Sequence, residues 1–271
     1  MKDRIKLIAL DLDDTLLLPN RTISAQSIKA LAQVRRQGIM VVLATGRMFR
    51  AAVPFARELM LDLPLIAYQG ALIKTIETGE VLRSLELSAA QCYPVLEFLA
   101  EKGIHANLYI DDELYVCEMN EAAARYVSFS QVPVHVVGEL TSFKFEHATK
   151  IVAVDNAARL HDNIEPRAKA LFGGSLTINT SRPHFLEFGH REATKSSALA
   201  FLGKHLGIQR QEMLAIGDGA NDLDMIEYAG VGVAMGNADD RLKAVADYIT
   251  TSNVEEGVAK AIERFVLSNR S

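Results

Sequence analysis

Ile5-Lys6-Leu7-Ile8-Ala9-Leu10-Asp11-Leu12-Asp13-Asp14-Thr15 is a short, mostly apolar run that stops abruptly at acid. The same pattern occurs twice more: Ile39–Leu43 runs into Thr45-Gly46-Arg47, and Met213–Ile216 into Gly217-Asp218-Gly219-Ala220-Asn221-Asp222. Brief continuous apolar runs bounded by polar residues and glycine are expected of parallel strands covered on both faces. Between the first two runs, Ser24 to Gln37 places Ile28, Leu31 and Val34 on one side, with serine at the N-cap and Gly38 beyond the end. This predicts a helical crossover. Open parallel sheets bind ligands at the carboxyl ends of their strands, so all three polar motifs are expected at one crevice.

The alternation continues to the end of the chain, with a helix Leu223–Tyr228, a strand Val231–Met235, a helix Asp239–Ala246, a short strand near Tyr248 and a helix from Asn253 to Leu267. The middle reads differently. An alternating segment Val81–Leu87 and a helix Ser88–Lys102 precede a hairpin of Ile104–Ile110 and Glu113–Met119, turned at Asp111-Asp112. A second half follows: helix Glu121–Phe129, strands Val134–Val137 and Thr149–Val154, helix Ala157–Phe172, and strands Ser175–Thr180 and His184–Phe188. The expected fold is α/β: a Rossmann-like parallel-sheet core, residues 1–81 and 190–271, with an inserted α+β cap domain over 82–189.

The chain has 271 residues, 49% hydrophobic and 23% charged, with a net charge of −5 and no basic block. That is a globular composition without the electrostatic footprint of a nucleic-acid binder. No apolar run is long enough to span a membrane, and Met1-Lys2-Asp3-Arg4 leads into a run ending in acid, unlike a secretory leader. A cytoplasmic location is expected. Cys92 and Cys117 have no CxxC spacing, and the seven histidines form no HxH or HExxH group, which argues against a zinc site.

Acids delivered by two distant strands imply one metal-dependent site. Enzymes accelerate phosphate-monoester hydrolysis by up to about 10²¹, whereas one general acid or base supplies about 10² to 10⁴. Such chemistry needs a nucleophile, a proton donor, a cation and fixed hydrogen-bond donors together. Asp11 is positioned as nucleophile, and Asp13 as the acid that protonates the leaving alcohol and later activates water. Oxygen-only ligands select a hard ion such as Mg²⁺, held by Asp11 and Asp218, with the Asp13 carbonyl and Asp222 through water. Lys195 opens a helix, Thr194 to His205, at the end where the macrodipole disfavours a lysine, which suggests use. Thr45 and the amides near Gly46 can donate to phosphoryl oxygens. Asp14 and Thr15 read as turn formers.

These residues, in this order, carry a resemblance. Asp11-Leu12-Asp13-Asp14-Thr15-Leu16, Thr45-Gly46-Arg47, Lys195 and Gly217–Asp222 resemble the four motifs of the haloacid dehalogenase-like superfamily. The chain is similar to its Cof-type branch, phosphatases of subclass IIB with a C2 cap, and Gly232–Ala238 and Glu256–Ala259 extend the likeness. The resemblance implies a Mg²⁺-dependent phosphatase with Asp11 as nucleophile and Asp13 as acid/base. It further implies phosphoryl binding by Thr45, Gly46, Lys195 and Asn221, and metal binding by Asp11, Asp13, Asp218 and Asp222. The sequence departs from the family at Gln69-Gly70-Ala71, where many relatives have Asn-Gly-Ala, and at Gly189–Thr194. Arg47, Arg182 and His184 are candidate contacts to the organic part of the substrate, with His190 close by in sequence.

A small phosphorylated metabolite, such as a sugar phosphate, is the expected partner, with neither nucleic acid nor membrane; no feature fixes an oligomeric state. The alternatives are a phosphomutase that returns the phosphoryl group to a sugar hydroxyl and a signalling receiver phosphorylated on aspartate. Removal of halide would leave Asp13 no alcohol to protonate.

Overall fold

The computed structural model describes residues 5–130 and 132–268. Met1–Arg4, read above for leader character, lie outside them. Contacts divide the chain into two units, one of Met1–Gly46, Ala52–Leu82 and Thr194–Ser271, the other of Arg47–Ala51 and Arg83–Ala193.

The first unit is built on a five-stranded parallel sheet in the order Tyr248–Ile249, Val231–Ala234, Met213–Gly217, Leu7–Leu10, Met40–Leu43. Leu7–Leu10 is an interior strand, its four residues fully buried, as a continuous apolar run covered on both faces requires. Its register pairs Leu10 with Ile216 on one side and with Leu43 on the other. The next residue along each strand therefore emerges at the same edge of the sheet. The Asp11 N–H extends the ladder to the Ile216 carbonyl at 3.0 Å, and the Ala44 N–H reaches the Leu10 carbonyl at 2.8 Å. The crossover helix Ala25–Arg36 buries Ala30, Leu31 and Val34, and the Ser24 hydroxyl caps it by accepting the Ser27 N–H at 3.1 Å.

Two features here escaped the sequence reading. A helix spans Phe49–Glu58 with Pro54 inside it, and Leu65–Ala67 pairs antiparallel with Leu72–Lys74. The alternating segment Val81–Leu87 is two short strands, Val81–Ser84 and Leu87–Ser88.

The second unit carries a six-stranded sheet in the order Leu176–Arg182, Phe185–His190, Lys150–Val154, His105–Ile110, Glu113–Val116, Val134–Val136. All pairs are antiparallel except the last. Leu108, Ile151, Leu186 and Phe188 share a core with Val95, Leu96 and Leu99 of the helix Ala89–Glu101 and Ala168 of the helix Glu165–Phe172. The expected helix Ala157–Phe172 is present, its first half wound more widely over Arg159–Ile164. Alternate positions point to the other face, where Asn107 and Tyr109 are buried and Lys150 pairs with Glu187 at 2.9 Å. The architecture is thus a Rossmann-like parallel core with an inserted α+β cap. Among the described residues, no helix is long and apolar enough to cross a membrane.

Candidate active site

Asp11, Asp218 and Asp222 come together at the carboxyl edge of the parallel sheet, each offering an oxygen within 4.8 Å of the others. The turn Leu12–Leu16 that follows Asp11 is wide and kinked, with Asp13 extended (φ −75°, ψ 131°) and Asp14 left-handed at φ 60°. Its consequence is that Thr15 turns back inward: the buried Thr15 hydroxyl donates to Asp218 Oδ1 at 2.6 Å, across 203 residues of sequence. Asp13 is half-buried in the same turn.

Lys195 begins the helix Lys195–Leu206, whose N-cap Thr194 accepts the Ser197 N–H at 3.1 Å. Its side chain is fully buried, and Nζ donates to Asp11 Oδ1 and Asp222 Oδ1, both at 2.5 Å. The unfavourable macrodipole position is outweighed by these two charge-assisted bonds, of about 1.5–3 kcal/mol each. Burial opposes the charge on Lys195, but Asp11 and Asp222 overcome it and raise its pKa above the ordinary lysine value.

Asp222 works with both oxygens. Oδ1 takes Lys195, while Oδ2 accepts the N–H groups of Asp218 at 3.0 Å and Gly219 at 2.9 Å. The loop folds back this closely because Gly217 has no side chain; a Cβ there would stand 2.6 Å from the Asp222 carboxyl carbon. Asp222 was expected to reach a metal through water. Its oxygens also hold Lys195 and shape the Gly217–Gly219 turn, while it stands with Asp11 and Asp218 in the group of acids able to share an ion.

The remaining acids carry the electrostatic strain. Burial, then Asp222, raise Asp11 well above the usual carboxylate range, Lys195 opposing them and Asp218 adding to them. Burial, then Asp222, lift Asp218 to about 7, while the Thr15 hydrogen bond pulls it down. Crowded acids of this kind favour a bound cation. The donor set fits a hard divalent ion: oxygen only, three carboxylates carried by the ends of two strands, and no histidine or thiol in the cluster.

Thr45 and Gly46 follow the strand Met40–Leu43. Thr45 is buried, with its N–H on the Ile66 carbonyl at 2.9 Å and its carbonyl accepting the Gln69 N–H at 3.0 Å. Asn221 sits in the turn Ala220–Asp222, and its Nδ2 donates to Gln69 Oε1 at 3.2 Å. Asn237 Nδ2 donates to the Asp14 carbonyl at 2.8 Å, tying the first acidic turn to the loop after Val231–Ala234.

The other three predicted contacts belong to the second unit. Arg47 falls in its Arg47–Ala51 segment. Arg182 and His184 flank the turn between Leu176–Arg182 and Phe185–His190. His184 Nδ1 lies 3.1 Å from the Asp155 carbonyl, closing that turn onto the end of the neighbouring strand. This end of the strand is six residues, about 20 Å at 3.4 Å per residue, from His190, where the chain leaves the sheet.

Sequence reading missed Thr15, whose hydroxyl looked like a turn former, and Gln69, noted only as a departure. No local signal in either residue foretells a partner more than 150 positions away.

The family model for haloacid dehalogenase-like hydrolases matches residues 8–262. The pyridoxal phosphate phosphatase YbhA of Escherichia coli strain K12 is 31% identical, over 95% of this chain and 97% of its own. The 5-amino-6-(5-phospho-D-ribitylamino)uracil phosphatase YcsE of Bacillus subtilis strain 168 is 32% identical, over 97% and 96%. Among solved structures, a haloacid dehalogenase-like hydrolase from Bacteroides thetaiotaomicron superposes with a TM-score of 0.87 at 33% identity, covering 96% of this chain and 99% of that one. The subclass IIB sugar phosphatase BT4131 gives 0.83 at 25% identity, covering 96% and 98%. The chain therefore belongs to the haloacid dehalogenase-like hydrolase family, and within it is a Cof-type phosphoric monoester hydrolase.

Proposed function

We propose that this protein hydrolyses small phosphorylated metabolites, sugar phosphates among them, in a Mg²⁺-dependent reaction through an aspartyl-phosphate on Asp11. The observation that carries the reading is the approach of Asp11 and Asp218, from opposite ends of the chain, to within 4.8 Å, with the Lys195 ammonium on Asp11. Relatives named for phosphorylated metabolites of pyridoxal and ribitylaminouracil type, and for sugar phosphates, support a substrate of that size.

An Asp11 carboxylate oxygen attacks phosphorus, and the bond from phosphorus to the alcohol oxygen breaks. Asp13 gives its proton to the departing oxygen. It then removes a proton from water as that water attacks phosphorus, and the Asp11 carboxylate is released. Lys195 holds Asp11 oriented and, with Thr45, the Gly46 amide and Asn221, balances the phosphoryl charge. Asp11 and Asp218, with the Asp13 carbonyl, would hold Mg²⁺, whose chemistry is to neutralise phosphoryl oxygens and align the substrate. Asp222 holds Lys195 and the loop amides and would reach the ion through water.

The cap is assigned to residues 82–189, and Arg47 remains a candidate substrate contact. Arg182 and His184, the latter bonded to the Asp155 carbonyl, likewise remain candidate contacts. No observation favours a mutase. A cytoplasmic location accords with two free cysteines. The test is Mg²⁺-dependent release of phosphate from p-nitrophenyl phosphate and sugar phosphates. It should vanish with EDTA and in Asp11→Asn; full activity in that variant would refute Asp11 as nucleophile.

A further inference from the structure

The loop after Leu65–Ala67 holds two successive non-glycine residues at positive φ, Tyr68 at 51° and Gln69 at 57°, followed by Gly70 at 99°. Backbone of this kind is strained and persists only where surrounding contacts enforce it. Here the contacts reach three different parts of the site. The Gln69 N–H donates to the Thr45 carbonyl at 3.0 Å. Gln69 Oε1 accepts from Asn221 Nδ2 at 3.2 Å. The same side-chain amide lies so close over Gly46 that a Cβ there would stand 2.4 Å from Nε2. Gly70 packs against the carbonyl of Thr194, the cap of the Lys195 helix, where a Cβ would stand 2.2 Å away.

Thr45, Gly46, Asn221 and Lys195 come from three separate strand or helix termini, and this one strained loop touches all three. We propose that Gln69 is a positioning residue: through its amide it sets the spacing between Asn221 and the Thr45–Gly46 turn, so that their donors converge on one phosphoryl group. The inference rests on the reading of those residues as phosphoryl-binding. Its physical basis is the sensitivity of such sites to placement, since a shift of about 1 Å can cost about 100-fold in rate. A side chain that fixes two donors from opposite sides acts on the transition state without touching substrate.

The test uses Gln69→Met, which keeps length and volume but can neither accept from Asn221 nor donate, alongside Asn221→Ala and the double variant. Each is assayed with p-nitrophenyl phosphate and for inhibition by orthovanadate, a mimic of the phosphoryl group in transfer. Gln69→Met is expected to lower kcat by about 10- to 100-fold with KM within about threefold, and to weaken vanadate inhibition in proportion to kcat. The double variant should be within about threefold of the worse single, because both changes break one unit. A Gln69→Met enzyme with kcat within twofold of wild type would overturn the proposal, as would losses that multiply in the double variant. If Gln69→Met is not recovered folded, Asn221→Ala decides the matter through Gln69→Glu, which retains an acceptor: equal kcat in Asn221→Ala and in its combination with Gln69→Glu supports the coupling, and a further drop overturns it. Failure of the underlying reading looks different, since wild type would then release no phosphate or Asp11→Asn would keep full activity.

Discussion

Replacing Lys195 with methionine keeps most of the side-chain volume but removes the ammonium lying between Asp11 and Asp222. Breaking a buried ion pair by deleting one partner costs about 3–5 kcal/mol. The variant has an escape, because the abandoned acids can take up a proton. Protonating a carboxyl of ordinary pKa 3.8 costs about 1.4 kcal/mol per pH unit above it, so roughly 6 kcal/mol at pH 8 and under about 2 kcal/mol at pH 5. Lys195 itself is charged throughout, since its pKa is raised above 10.5 and its contribution is lost only as pH rises beyond the lysine range. Urea unfolding in EDTA should therefore show a deficit of about 3–5 kcal/mol at pH 8 that shrinks to at most about 2 kcal/mol at pH 5. A variant as stable as wild type at pH 8, or a deficit unchanged between the two pH values, would refute the idea that Lys195 neutralises this pair.

In the metal-free protein Asp11 and Asp218 hold protons that the unfolded chain has lost, so stability should fall as pH rises from about 4 to about 7, and Mg²⁺ affinity should climb over the same range. Thermal unfolding in EDTA and Mg²⁺ titration by calorimetry at pH 5.5 and 8 check both signs; a flat profile contradicts them. Gly70→Ala adds a Cβ onto the Thr194 carbonyl at a φ of 99°, and should destabilise by about 2 kcal/mol or more in denaturant titration. Glu187→Gln leaves the Lys150 ammonium buried without its carboxylate, and should cost about 3 kcal/mol in the same assay, whereas a neutral outcome would mean that the pair is solvated. Burial pushes the Cys92 thiol up to about 12, while Cys117 is exposed. A thiol reagent should thus modify Cys117 in the native protein and both cysteines only in denaturant.

The parallel core was legible because its strands are buried on both faces and are written as unbroken apolar runs, each ending in the polar residues that the edge of the sheet displays. The helix of Lys195 was legible for a related reason: a lysine at the disfavoured end of an amphipathic stretch stood out. What was hidden depends on long-range geometry. The sequence Asp14-Thr15 looks the same whether the hydroxyl caps its own turn or crosses to Asp218, and the left-handed turn at Tyr68-Gln69 has no glycine until its third residue. Asp222 was read as one more acid for the metal, and it does lie in that acidic cluster. Its pairing with Lys195 and with two backbone amides appears only once Gly217 lets the loop fold back. His184 lies in a turn bonded to the Asp155 carbonyl, a placement that alternation along a strand does not encode.

The central claim is that Asp11 is the nucleophile that takes the phosphoryl group in a site completed by Asp218. Rapid acid quench of a single turnover with a phosphorylated substrate and Mg²⁺, followed by peptide mapping of the phosphorylated residue by mass spectrometry, tests it most directly. The account predicts phosphate on Asp11, formed and lost at rates that sustain turnover and diminished in Asp218→Ala. Phosphate on any other residue, or turnover with no phosphorylated protein under conditions that trap acyl phosphates, would contradict it.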